Sequence, residues 1–226
     1  MMKQKNGMSR FLRFVGIVLM ALTAGFTVLA GVGGICAAAA PTNWASLAPL
    51  APFQWLYALF VVVTLAIGVA GIRATICLIR GQAHSYRDAL IALIAGIVVG
   101  VIHIAASRAL RGGSMPVDMV VYVTAFTLAV LLLLRLPGIW KDVDYTRGNG
   151  AGRLTTGATA IVIGALALLI PIPMAASHTW DGINYADAFH AAMIVISGIL
   201  IVTGIAALAA PGVRPRAEPS AIPAAV

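Results

Sequence analysis

Six runs of about 20 or more mostly apolar residues dominate this chain, and they leave it few folds to choose from. They fall at about 14–40, 53–79, 89–110, 119–136, 155–175 and 188–210. A helix of that length crosses a hydrocarbon core of about 30 Å. Of the 226 residues, 61% are hydrophobic and only 10% charged. A water-soluble domain carries about 25% charge, and this chain lacks the polar surface to cover such a core. The expected fold class is therefore all-α: a polytopic integral membrane protein of six transmembrane helices. Residues 1–13 form a basic N-terminal segment, 14–210 the membrane domain, and 211–226 a disordered tail with a proline every fourth position.

A signal peptide is the rival reading of the first run, since Ala37 to Ala40 offers small residues for cleavage. Its apolar part is nearly twice the usual 7–15 residues, roughly, so a retained span is expected. The net charge of +8 does not indicate nucleic-acid binding, because no basic patch is interleaved with stacking aromatics. Its distribution indicates orientation. With the N-terminus inside, Lys3, Lys5, Arg10, Arg13, Arg73, Arg80, Arg87, Arg135, Lys141, Arg147, Arg153, Arg214 and Arg216 fall on the cytoplasmic side. Only Arg108 and Arg111 fall outside. This asymmetry predicts three outward hairpins, both termini cytoplasmic, in the plasma (inner) membrane.

Small residues recur at helical spacing on five of the spans. Examples are Gly31 and Gly34, Gly68 and Gly71, Gly96 and Gly100, Gly164, and Gly204. Such faces let helix backbones approach closely. The three hairpins also share a spacing: Ala40-Pro41, Ala106-Ser107 and Ala176-Ser177 precede Phe53, Met119 and Phe189 by equal intervals. That pattern raises a threefold repeat as a reading. The fourth span, ending in LLLLRLP, reads as the most lipid-like. Trp44, Trp55, Tyr57 and Trp180 read as interfacial anchors. Cys36 and Cys77 sit toward opposite ends of their spans, which disfavours a disulfide. Residues 141–154 read as a solvated connector. Its Asp142, Asp144 and GNGAG lack both the calcium-loop spacing and the strand and GK[ST] of a phosphate loop.

The exception to this order is IHIAASRALRGGSMPVD, residues 102–118. His103 lies well inside a span, and intramembrane ionisable groups are costly. Its bland reading is a packed histidine hydrogen-bonded to a neighbouring Ser, Thr or carbonyl. Arg108 and Arg111 are expected to form a salt-bridge network with Asp118, Asp181 or Asp187, with docking of a partner or anionic solute as the alternative. Ser107 accompanies His103 without an orienting acid or oxyanion donors, so no enzyme class is expected.

Three functions remain. The leading expectation is an accessory or structural subunit of a larger membrane complex, partnered by the bilayer and by other membrane subunits or copies of itself. The second is a small transporter or channel whose polar path runs between the third and sixth spans, through His103, Ser107, Arg111, His190 and Ser197. The third is a b-haem electron carrier with His103 and His190 as axial ligands.

Overall fold

The computed structural model describes residues 2–143, 145, 152–169, 179–180, 183–184 and 187–209. Its long helices are α1 (Met2–Gly33), α3 (Gln54–Arg80), α4 (Ser85–Arg111), α5 (Val117–Leu134), α7 (Gly152–Leu169) and α8 (Asp187–Ala209). Two short helices join them, α2 (Ile35–Ala39) and α6 (Pro137–Val143). Two-residue strands β1 (Thr179–Trp180) and β2 (Ile183–Asn184) pair antiparallel between α7 and α8.

Among the described residues, five helical segments are long and apolar enough to cross a membrane. The expected fifth span is described only in part. Its apolar helical part, Thr156–Leu169, is shorter than the other five. Residues 170–178, with Pro171 and Pro173, lie outside the described residues. So do half of the 141–154 connector, most of the 177–187 loop including Asp181, and the 211–226 tail.

Several boundaries shift for physical reasons. Helix α1 begins within the basic segment, because nothing before Phe14 breaks a helix and Arg10 and Arg13 tolerate one well. The loop expected at 41–52 contains 3-10 turns at Pro41–Asn43 and Ala48–Phe53, each with a proline in its first two positions, where a fixed φ suits a tight turn. Gly81 and Gly112 end α3 and α4 at φ of 71° and 73°, a left-handed conformation that glycine adopts without strain. Pro137 stands at the start of α6, where a missing N–H costs nothing.

Helices α1, α3, α4 and α5 close into a ring: α1 packs on α3 and α5, α3 on α4, and α4 on α5. The α7–α8 hairpin joins this bundle through α7, which touches α1 and α3. Glycines set the close approaches. A side chain at Gly68 would meet the Val28 backbone nitrogen at 3.1 Å, and one at Gly71 would meet Ala24 Cβ at 3.0 Å. In the outlying hairpin a Cβ at Gly157 would lie 2.7 Å from the Gly204 carbonyl oxygen, and one at Gly204 the same distance from that of Gly157.

The fourth span is not lipid-like throughout. In α5, Thr124 and Thr127 are buried, and Thr127 is fully enclosed. The Thr127 hydroxyl meets that of Thr23 on α1 at 2.7 Å. Its apolar side chains dominate composition, but their angular distribution puts the threonines inside the ring and Phe126, Leu132 and Leu133 outside.

Candidate functional site

The segment that stands out in the sequence occupies the end of α4 and the turn into α5. His103 is half-buried, and its ring lies flat on Phe60 of α3, with centroids 4.3 Å apart and planes 9° apart. Tyr57 meets His103 edge-on at 5.4 Å and Phe60 at 5.8 Å. One turn beyond His103, the buried Ser107 hydroxyl bonds the Tyr57 hydroxyl at 2.8 Å. Tyr57 and Phe60 are three residues apart, as are Tyr57 and Gln54 at the start of α3, so one stripe of α3 presents both rings to α4.

His103 is therefore held by ring contacts, and among the described residues no hydrogen bond to a neighbouring Ser, Thr or carbonyl accompanies them; the Ser107 hydroxyl bonds Tyr57 instead. Tyr57 itself is not an interfacial anchor. It is 2% exposed, while its near neighbour Trp55 is 68% exposed. The sequence signal for Tyr57 was its place on the same face as Phe60, two residues off the exposed Trp55.

Beside His103 the bundle encloses a cavity of about 30 Å³, bordered by Thr27, Thr64, Gly96, Gly100 and Thr124. That space suits a molecule of water size. Ligand clefts run to about 300–1,000 Å³. Two of the threonines are committed to their own helices: Thr27 donates to the Thr23 carbonyl at 2.8 Å and Thr124 to that of Val120 at 2.6 Å.

At the end of α4 a polar knot forms. Arg108 donates through Nε to Ser114 Oγ at 3.0 Å and through a terminal nitrogen to Asp118 Oδ1 at 3.3 Å. Ser114 donates to Asp118 Oδ2 at 2.7 Å. Arg108 is thus the arginine that pairs with Asp118. Arg111 turns away and donates to the Met115 carbonyl at 2.9 Å. A cis peptide bond joins Met115 and Pro116 within this turn.

The remaining sequence candidates lie elsewhere. His190 is exposed near the start of α8. Ser197 is fully buried where α8 meets α7, its carbonyl beside Gly164, and its hydroxyl has no hydrogen-bond partner among the described residues. The main packing of α4 is against α3 and α5, and that of α8 is against α7. The structure brings Ser107 near His103 and Asp118 near Arg108, but it does not bring His190 or Ser197 to either group. Among the described residues, the space bordering His103 is the cavity of about 30 Å³, and one face of its ring is covered by Phe60.

A second cluster, at the opposite end of the bundle, was missed in the sequence. Tyr86, Trp140 and Tyr145 gather there, with Trp140 4.8 Å from Tyr86 and Tyr145 6.2 Å from Tyr86. The Arg135 guanidinium lies 4.4 Å over Trp140 and 5.3 Å from the Tyr86 ring. Arg13 lies 5.5 Å over Tyr145 and donates to the Leu78 carbonyl at 3.1 Å. Tyr86 donates to the Leu131 carbonyl at 2.8 Å. These residues come from four separate parts of the chain, so no local spacing announces them. Comparison with family models, with curated proteins and with solved structures finds no match to this chain.

Proposed function

We propose that this chain is an accessory or structural subunit of a larger membrane complex. In this reading it crosses the plasma (inner) membrane six times as three outward hairpins, with both termini in the cytoplasm. The charge asymmetry of the loops supports that orientation.

The observation that carries the functional reading is how the polar groups inside the bundle are used. Thr23 with Thr127 and Tyr57 with Ser107 are spent on helix-to-helix hydrogen bonds, and His103 on stacking. The cavity beside them, about 30 Å³, is too small for a solute. Such an interior supports a role in holding helices together over one in moving a solute. Helix α8 adds a face available for assembly: Val195, Ile199 and Val202 are exposed on a helix whose main support is α7 alone.

The test is extraction from native membranes in mild detergent, followed by mass determination of the intact particle and identification of its chains. A fixed stoichiometry with a different membrane protein is the expected result. A lone monomer or a pure homo-oligomer overturns the reading. Solute flux that falls after His103→Ala or Arg111→Ala would favour transport instead.

A further inference from the structure

At the end of the bundle that carries Arg13, Arg80 and Arg135, an open cleft of about 350 Å³ lies between α4, α5 and α6. Its lining includes Tyr86, Arg87, Leu90, Leu132, Arg135 and Trp140. We propose that this cleft seats the headgroup of an anionic phospholipid, with the acyl chains running along Leu90 and Leu132. The proposal rests on the reading that α4 and α5 cross a bilayer.

The lining is graded in polarity along the helices. Arg87 sits in the first turn of α4 and Arg135 follows the last turn of α5, so both lie at the same end of antiparallel neighbours. Leu90 and Leu132 lie about one turn further toward the middle, and Leu132 is 50% exposed on the outer surface. Charge at the rim and aliphatic surface below match the order of groups in a phospholipid. Trp140 and Tyr86 stand at the level of the rim, where amphipathic rings favour the headgroup layer.

Among the described residues, one weak ion pair is set against the two cations. Arg135 stacks on Trp140 and Tyr86, which fixes its plane, and among the described residues no carboxylate pairs with it. Arg87 pairs with its chain neighbour Asp88 at 3.6 Å, but its side chain is 69% exposed, and such pairs are weak. Among the described residues, Asp88 is the acidic group to be set against the two guanidiniums. A planar guanidinium held by stacking keeps its N–H edge free for a phosphate, the geometry that arginine serves better than lysine. Basic sites between spans at a membrane surface select anionic headgroups on these grounds.

The experiment uses the full chain with Trp44→Phe, Trp55→Phe and Trp180→Phe, which leaves Trp140 as the sole indole. It is reconstituted into bilayers of phosphatidylcholine containing phosphatidylglycerol, with one lipid or the other brominated near the carbonyl end of its chains. Quenching of Trp140 then reports which lipid occupies the cleft. The expected preference for phosphatidylglycerol is on the order of tenfold, and Arg87→Gln or Arg135→Gln cuts it about fivefold.

Arg87 is exposed and takes no part in packing, so its variant keeps the test informative if Arg135→Gln fails to fold. Equal quenching by the two lipids overturns the site. Loss of the preference on adding inorganic phosphate also overturns it, in favour of a free-anion site. Quenching by neither lipid instead overturns the bilayer-spanning reading on which the proposal stands.

Discussion

Tyr57 and Ser107 meet hydroxyl to hydroxyl at 2.8 Å across α3 and α4, at the level where His103 lies flat on Phe60. Aliphatic contacts would allow the two helices to slide, whereas a directional bond between fully buried groups does not. Ser107→Ala leaves the Tyr57 hydroxyl buried without a partner, and Tyr57→Phe does the converse. Each single change is expected to destabilise by about 1 kcal/mol. The double variant should recover part of that loss, giving a coupling of about 0.6 kcal/mol, with about 1.7 as the upper bound seen between membrane helices. Detergent-titration unfolding followed by circular dichroism measures the cycle. Strict additivity would show that the bond contributes nothing to the register.

The α7–α8 hairpin depends on two backbones in contact. Gly157→Val places its Cβ against the Gly204 carbonyl, where backbone and not a flexible side chain must give way. A loss of about 1–3 kcal/mol is expected, the usual cost of overpacking. Gly198→Ala on the same hairpin has open space and serves as the control. It should be neutral or slightly stabilising, since alanine is the better helix former. Thermal unfolding of the two variants side by side checks the contrast, and equal effects would sink it.

The spans are legible in the chain because a run of apolar residues satisfies its backbone only by forming a helix in lipid. Glycine faces are legible too, as Gly68, Gly71, Gly164 and Gly204 demonstrate by their close contacts. What periodicity does not encode is which face meets which neighbour. Tyr57 and Trp55 carry the same interfacial signature, yet one is enclosed and the other faces outward. His103 and His190 are both histidines in the same half of their spans by sequence count, but their helices take different partners. The Tyr86–Trp140–Tyr145 cluster draws on residues up to 59 positions apart, counted from Tyr86 to Tyr145. Arg108 with Asp118 was within reach because the pair is separated by a single tight turn.

That pair is unequal in its surroundings, and the inequality predicts an unequal response. The Arg108 side chain is 58% exposed, while that of Asp118 is 11% exposed. Asp118→Ala frees an arginine that water can solvate, and Ser114 still accepts from its Nε. Arg108→Ala leaves a nearly enclosed carboxylate with the Ser114 hydroxyl alone among its present donors. Arg108→Ala should therefore cost about 1–3 kcal/mol, and Asp118→Ala less than about 1 kcal/mol. Chemical unfolding of both variants tests this order, and a larger loss for Asp118→Ala would contradict it.

Tyr145 offers a pH signature outside the spans. Its phenol is fully enclosed between α1 and α6, and burial pushes its pKa above the ordinary value near 10. The Arg13 guanidinium over the ring works against that rise, and the nearby Tyr86 adds to it. Because the folded pKa is raised, the neutral phenol's contribution is fully present below about pH 10 and is lost as pH climbs through the folded value. Above about pH 10, this one group should reduce stability by as much as about 1.4 kcal/mol for each further pH unit. In Tyr145→Phe that slope disappears, while titration of the remaining tyrosines and lysines stays common to both proteins. The neutral-pH cost of the substitution should be small, since the hydroxyl's bond to the Arg13 carbonyl is long at 3.5 Å. Thermal unfolding of the two proteins from about pH 8 to about pH 12, with phenolate absorbance read in parallel, measures the difference. Superimposable alkaline limbs would show that Tyr145 ionises as freely as an exposed tyrosine.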